Sequence, residues 1–271
     1  MEYDKDYFKG KTAVVTGAAS GVGLALIEEL LESGADKTVL SDINEENLAK
    51  HVTRLEGLYP GRVKGIVCDV TSEKAVNDLI AGSAEFFGGR IDLLFNNAGA
   101  MFSGWFEDVP IEKWDAALKL NFYSAVYGMR AALPIMKEQG GGQIVNIISG
   151  TAFSPMAEWS PYCASKAALN TLSLALRVEY WDDNIKINPA TPGTTATAIF
   201  GDDKPADDKM QTPHQSASRI LNGVANNDRI IFGDDSDVDG ASFCFHPEAA
   251  KGNDEYYLRV ARERRKGITA I

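Results

Sequence analysis

The chain is poor in cysteine and histidine, with three of each in 271 residues. Cys68, Cys163 and Cys244 are odd in number and lack the spacing of a zinc ligand set. They read as free thiols in a reducing compartment. His51, His214 and His246 share no spacing that suggests a metal site, so no metal is expected and they read as surface or packing residues. Also missing is any apolar run of about 20 residues, the length a membrane-spanning helix needs. Met1–Lys11 is polar and charged and does not look like a signal peptide. These absences point to a soluble, cytoplasmic protein. Basic residues are in deficit: 27 Lys and Arg face 38 Asp and Glu, for a formal net charge of −11. Such a surface repels phosphate backbones and anionic lipid, so neither nucleic acid nor membrane is an expected partner. The acid is concentrated in Gly201–Asp208 and Asp234–Asp239, both read as solvated loops.

What is present has an ordinary globular balance, 45% hydrophobic and 24% charged. Short β-branched runs alternate with longer helical patterns. Thr12–Thr16, Thr38–Ser41, Val63–Cys68, Ile91–Phe95, Gln143–Ile148 and Ile185–Asn188 read as strands. Helices are expected at about Val22–Glu32, Glu45–Leu58 and Glu73–Phe87. This alternation implies right-handed crossovers, hence a doubly wound parallel sheet of Rossmann type in three α/β/α layers. No linker or repeat divides residues 1–271, so a single domain is expected. Two further helices are more apolar. Trp114, Leu118, Phe122, Ala125, Met129, Leu133 and Met136 recur at intervals of three or four, one continuous apolar face. The second, about Pro161–Trp181, is apolar nearly all round and must be buried, in the sheet packing or against another subunit. A homodimer or homotetramer is the expected assembly. After Pro192 the alternation fails. Gly193–Pro213 reads as a mobile excursion, then a short helix near Gln215–Ala225, a strand at Arg229–Phe232, an irregular stretch and a charged helix near Asp254–Lys266. A substrate lid is expected at about residues 194–225.

The first strand runs straight into Gly17-Ala-Ala-Ser20-Gly21-Val22-Gly23 and then a helix. Glycines let main-chain N–H groups approach a pyrophosphate, and the helix amino end adds unpaired N–H groups and a favourable dipole. The spacing is not G-x-G-x-x-G, so the weight lies in its place between strand and helix. Asp42 follows Gly23 by 19 residues at the end of the second strand. A carboxylate there can accept hydrogen bonds from ribose hydroxyls and repel a 2′-phosphate, which favours NAD over NADP. Equally, Asp42 could merely cap the helix that follows. Further on, Ser149 ends a strand, and Tyr162 and Lys166 lie four apart on one helix face. A neighbouring ammonium favours the phenolate and would make tyrosine a workable acid/base.

By these motifs the sequence resembles the short-chain dehydrogenase/reductase family in its shorter, single-domain form. The resemblance runs from about Lys9 to Thr197. It rests on Thr16-Gly17-x-x-x-Gly21-x-Gly23, Asp69 in Cys-Asp-Val-Thr, Asn96-Asn97-Ala98-Gly99, Asn121, Ser149, Tyr162-x-x-x-Lys166 and Pro192-Gly193. It implies an NAD-dependent secondary-alcohol dehydrogenase. Tyr162 would exchange the proton with the substrate oxygen, Ser149 would orient that oxygen, and Lys166 would bind the nicotinamide ribose and tune Tyr162. Asn121 would hold a relay water. Gly17, Ser20, Gly21, Val22, Gly23, Asp42, Asp69, Val70, Asn97, Gly193, Thr195 and Thr197 would complete the cofactor site. Family members usually carry valine or isoleucine where this chain has Thr195, which puts the local packing in question. The alternatives are a ketoreductase of lipid or polyketide synthesis, expected to prefer NADPH, and a dinucleotide-sensing protein without turnover.

Three loops are expected around the nicotinamide. The first supplies Met101, Phe102, Trp105 and Phe106; the second Phe153, Pro155, Met156 and Trp159; the third Ile199 and Phe200. A pocket so lined would take a bulky apolar substrate such as a hydroxysteroid or aryl ketone. Lys204 and Lys209 are the only cations of the third loop, which weakens the case for a phosphate-bearing thioester.

Overall fold

A computed structural model describes residues 4–203, 209–244, 246 and 248–268. Its centre is a sheet of six strands: β1 (Thr12–Thr16), β2 (Lys37–Asp42), β3 (Val63–Val67), β4 (Leu93–Asn96), β5 (Gly142–Ile147) and β6 (Ile185–Ala190). They lie in the order β3-β2-β1-β4-β5-β6, and every pairing is parallel. The expected doubly wound architecture is therefore present. The winding reverses between β1 and β4. In such sheets the crevice outside the strand carboxyl ends opens at that reversal and takes the ligand.

Successive strand residues point to opposite faces, and each face is covered. Ala13 and Val15 of β1 join a core with α1 (Gly21–Glu32), α2 (Glu45–Leu58) and, beyond the sheet, α7 (Pro213–Asn226). Val14 points the other way, into a core with α3 (Glu73–Phe86), α5 (Ser124–Glu138) and α6 (Ser160–Glu179). Leu26, Ile27 and Leu30 of α1 are fully buried, each burial stabilising by about 1.5–3 kcal/mol. α7 contributes Ala217, Ile220, Leu221 and Val224, all without exposure. Thus the expected lid at 194–225 is corrected in its second half: from Pro213 on it is a core helix. Its period of apolar residues suits packing on α1 better than hovering over a cleft.

The long apolar face around Trp114–Met136 is not one regular helix. α4 (Ile111–Leu118) passes through a single π-helical turn, Lys119–Tyr123, into α5. Asn121 sits in that turn. Pro134 lies inside α5. The expected strand at Arg229–Phe232 is reduced to one parallel bridge, Ala190 to Ile231, held by Ile231 N–H to Pro189 O at 2.9 Å and Thr191 N–H to Ile231 O at 2.8 Å. The stretch read as irregular contains a helix, α8 (Asp235–Cys244), and α9 (Ala250–Arg264) closes the described fold. Among the described residues no helix is long and apolar enough to cross a membrane.

Buried polar groups set the register of the elements that carry the site. Thr12 N–H donates to Asp92 Oδ2 at 2.8 Å, tying β1 to the start of β4. Asn96 Nδ2 donates to Asn146 Oδ1 at 2.7 Å, and Asn146 Nδ2 to Ser173 Oγ at 2.9 Å. This chain of amides fixes α6 against β4 and β5. Buried and satisfied, it discriminates strongly against slippage, since one broken link strands a desolvated amide.

Candidate active site

The carboxyl ends of the strands enclose a cavity of about 1110 Å³. That is just above the roughly 300–1,000 Å³ of ordinary ligand pockets, room for a dinucleotide and a second molecule. One end is built by the turn after β1. Gly17 adopts φ +64°, a left-handed conformation that favours glycine. Asn97 locks this turn to the end of β4, its Nδ2 donating to Thr16 O at 2.8 Å and Gly17 O at 3.1 Å. Ser20 precedes α1 in extended conformation and its side chain does not cap the helix. The first-turn N–H groups of Gly21 and Val22 therefore stand without a side-chain partner at the cavity wall, as an anion site requires. Gly23 does not line the cavity. A Cβ there would lie 2.3 Å from Gly17 O and 2.5 Å from Asn97 Nδ2, so its role is close packing behind the turn.

Asp42 reaches the same wall from the end of β2. Its Oδ2 accepts Ala19 N–H at 3.0 Å and its Oδ1 accepts Asn44 N–H at 2.9 Å. It is not the cap of α2; Asn44 fills that place by accepting Asn47 N–H at 3.0 Å. Asp69 and Val70 line the cavity beyond β3. The Asp69 carboxylate accepts the Thr71 hydroxyl at 2.7 Å and N–H at 2.9 Å, bonds that hold its pKa below the usual range. A glycine cradle, free helix-start N–H groups and a placed carboxylate fit a dinucleotide.

At the far end Ser149, Tyr162 and Lys166 converge. Ser149 lies two residues beyond the end of β5 and N-caps the 3₁₀ turn Gly150–Ala152, accepting Thr151 N–H at 3.2 Å. It also hydrogen-bonds Tyr162. Tyr162 and Lys166 share one face of α6 and are 4% and 3% exposed. Lys166 Nζ lies 5.9 Å from the centre of the Tyr162 ring and donates to Ile147 O at 2.8 Å. Burial pushes Tyr162 up to about 12, against the downward pull of its Ser149 hydrogen bond, and pushes Lys166 down to about 8. The expected lowering of Tyr162 by the ammonium is not what the site produces: burial raises the phenol, and the opposing pull comes from Ser149. Desolvation penalises both charged forms at once.

Asn121 does not line the cavity. Its side chain is taken up by the main chain of Ala100, accepting the N–H at 3.0 Å and donating to the oxygen at 3.0 Å. It still adjoins Lys166, because a Cβ at Gly99 would stand 2.8 Å from Asn121 Oδ1 and 3.2 Å from Lys166 Nζ. Gly193, Thr195 and Thr197 line the wall after β6. Thr195 is buried, and its hydroxyl donates to Pro192 O at 2.9 Å, so the polar group is satisfied inside the loop.

Of the expected apolar lining, Met101, Met156, Trp159, Ile199 and Phe200 face the cavity. Phe102, Trp105, Phe106, Phe153 and Pro155 do not. Phe153 is core packing against Phe232, and Phe106 is 69% exposed, edge-on to Trp114. Trp105 lies beneath Arg265, 3.9 Å from guanidinium to ring centre. Lys209 lines the cavity, while Lys204 lies outside the described residues. Sequence reasoning missed the carboxyl-terminal wall: Ser236 and Asp237 of α8, and Tyr256 and Tyr257 of α9. The acidic run 234–239 is therefore not a solvated loop; 204–208 of the other run lies outside the described residues. The only available signal was the helix-start pattern at Asp234, whose Oδ1 accepts Asp237 N–H at 2.8 Å.

A family model described as short chain dehydrogenase matches residues 11–208. An uncharacterized oxidoreductase of Staphylococcus aureus is 36% identical over 211 residues, covering 78% of this chain and 89% of that one. The 2,5-dichloro-2,5-cyclohexadiene-1,4-diol dehydrogenase LinX of Sphingobium indicum is 35% identical over 241 residues, 85% of this chain and 95% of its own. Among solved structures, a 7α-hydroxysteroid dehydrogenase complexed with NADH and 7-oxo glycochenodeoxycholic acid superposes with a TM-score of 0.78 at 26% identity, covering 86% of this chain and 96% of that one.

Proposed function

The chain belongs to the short-chain dehydrogenase family, an oxidoreductase with a Rossmann-type fold, and from that premise we propose that it interconverts a secondary alcohol and a ketone on a hydrophobic substrate, using NAD(H). The observation that carries this reading is the convergence of Ser149, Tyr162 and Lys166 at one end of a cavity whose other end is the glycine turn with Asp42. Bound NAD supplies the hydride acceptor for alcohol oxidation, and NADH the donor for the reverse.

The residues do the rest. Tyr162 holds the proton that moves to or from the substrate oxygen, and Ser149 hydrogen-bonds that same oxygen and orients it. Lys166, with an ammonium that burial has made easier to deprotonate, binds the nicotinamide ribose and adjusts Tyr162. Asn121 braces the Gly99–Ala100 loop beside Lys166, and its turn is the place where a relay water would sit. Gly17, Ser20, Gly21 and Val22 bind the pyrophosphate, with Gly23 packed behind them. Asp42 takes the adenosine ribose and disfavours a 2′-phosphate. Asp69 and Val70 meet the adenine, Asn97 closes the cleft, and Gly193, Thr195 and Thr197 hold the carboxamide end. Met101, Met156, Trp159 and Phe200 offer an apolar wall to a ring-bearing substrate. The names of two similar proteins, one specifying a cyclohexadiene diol and the other a hydroxysteroid with NADH, support this choice.

The assembly we propose is a homodimer or homotetramer in the cytoplasm. Val178 and Trp181 near the end of α6 are 73% and 63% exposed, and Ile111 and Tyr123 in the α4–α5 segment are also open. Such apolar exposure suits a subunit interface. A panel of cyclic and aryl secondary alcohols, followed by NADH absorbance with NAD or NADP, tests the function. Turnover with NAD is expected; turnover with NADP alone, or none across the panel, overturns it.

A further inference from the structure

Asp237 is the feature that the proposed chemistry leaves unused. It stands in the first turn of α8, on the cavity wall. Asp234 fixes that turn: its Oδ1 accepts Asp237 N–H at 2.8 Å and its Oδ2 accepts Thr194 N–H at 2.7 Å, so α8 is tied to the loop after β6. The Asp237 carboxylate consequently presses against Gly150, the residue after Ser149. A Cβ at Gly150 would lie 1.8 Å from Asp237 Oδ1, so any side chain at 150 would expel the carboxylate. Its Oδ2 is buried without a hydrogen-bond partner, although the Thr191 hydroxyl and Gly193 N–H lie close enough to favour its charge. Its charge is felt at Tyr162. Burial and the neighbouring Asp234 push its own pKa up to about 7.

A carboxyl brought this close to the reacting end without a full complement of donors is costly to the protein alone. Among the described residues no cation pairs with it: Lys166 donates to Ile147 O, and Lys209, the other described basic side chain on the cavity wall, comes from a different loop. What would satisfy it is a donor carried in by the ligand. We propose that Asp237 is a specificity-determining residue that accepts a hydrogen bond from a second hydroxyl of the substrate, so that the preferred substrates are diols or hydroxyketones rather than simple secondary alcohols. This rests on the alcohol–ketone reading above, and it deepens that reading: Ser149 and Tyr162 take the reacting oxygen, while Asp237 takes a neighbouring one. A site built to pair with a hydroxyl rejects the analogue lacking it, because its own polar group is left unmatched.

The test compares trans-cyclohexane-1,2-diol with cyclohexanol, in wild type, Asp237→Ala and Asp237→Asn, with NAD. Wild type should favour the diol in kcat/KM by about tenfold or more. Asp237→Ala should collapse that ratio towards one, mainly through KM, and Asp237→Asn, which keeps an acceptor oxygen, should restore part of it. A ratio near one in wild type, or equal losses on both compounds in Asp237→Ala, overturns the proposal. Binding of the same two compounds to the NADH-loaded protein, read by tryptophan fluorescence, gives the answer without turnover. Tighter binding of the diol that Asp237→Ala abolishes supports the assignment, and equal affinities in wild type overturn it. A comparable weakening of NADH itself would move Asp237 to the cofactor and also overturn it. Failure of the parent reading looks different: both compounds would be inert in wild type whatever their affinities.

Discussion

Replacing Asp42 with alanine removes two things at once, an acceptor for the Ala19 and Asn44 N–H groups and one negative charge at the cavity wall. The two effects separate by assay. If the adenosine ribose lies against this carboxylate, a 2′-phosphate would approach to within a few ångströms. Two unit charges about 4 Å apart at an effective dielectric near 20 interact by about 4 kcal/mol. Asp42 is only half-buried and water screens the pair, so about 1–2 kcal/mol is a fair expectation. Wild type should therefore bind NADH about tenfold more tightly than NADPH, and Asp42→Ala should bring the two dissociation constants together. Nucleotide fluorescence measures both without a substrate. Stability should fall as well, because hydrogen bonds to a charged acceptor contribute about 1.5–3 kcal/mol each before exposure is discounted. A lowered melting temperature with an unchanged NADH-to-NADPH ratio would refute the cofactor assignment and leave Asp42 as a loop staple.

Gly23→Ala places a methyl group 2.3 Å from Gly17 O, so the turn must shift; NADH affinity should drop by about tenfold or more while circular dichroism stays near wild type, and unaltered affinity would contradict the packing described. Lys166→Met removes an ammonium whose pKa falls from 10.5 to about 8 on folding. Between those values the unfolded chain binds more protons, so wild-type stability rises as pH climbs from about 8 towards 10.5, and at pH 7 the buried charge costs up to about 3 kcal/mol. Urea denaturation should show Lys166→Met more stable than wild type at pH 7 and the difference shrinking by pH 9.5, below the range where Tyr162 begins to oppose it; parallel profiles would count against a charged, buried Lys166. Arg264 lies 4.4 Å from the centre of the Trp159 ring and 3.6 Å from Glu158 Oε2. Arg264→Ala should raise KM more than it lowers kcat and cost about 1–2 kcal/mol in stability, since α9 loses a hold on the cavity wall; an unaffected KM would place α9 outside substrate binding.

The parts of this molecule legible in its sequence are those governed by local rules. Short β-branched runs place all six strands within a residue or two, because a parallel sheet covered on both faces selects near-continuous apolar segments. The glycine turn and the Tyr162–Lys166 pair are equally local, one a demand on φ and space, the other a helix repeat. What escaped depends on tertiary context. The π-helical turn at Asn121 has no compositional mark, since it is selected by the Ala100 main chain that the amide must meet. Thr195 looked anomalous until the Pro192 carbonyl appeared beside it. Most telling is Asp237: Asp, Ser and Gly are poor helix formers, so Asp235–Cys244 reads as loop, and only the folded chain brings its carboxylate onto Gly150.

The central claim is that Tyr162 carries the proton of an alcohol–ketone interconversion. Tyr162→Phe deletes one hydroxyl from a side chain that is otherwise packing with Trp159, Cys163 and Met101, so the cavity and the cofactor site should persist. On the best alcohol of the screen, kcat should fall by about 10²–10⁴-fold with NADH affinity at the wild-type level. A variant that turns over at the wild-type rate would contradict the account.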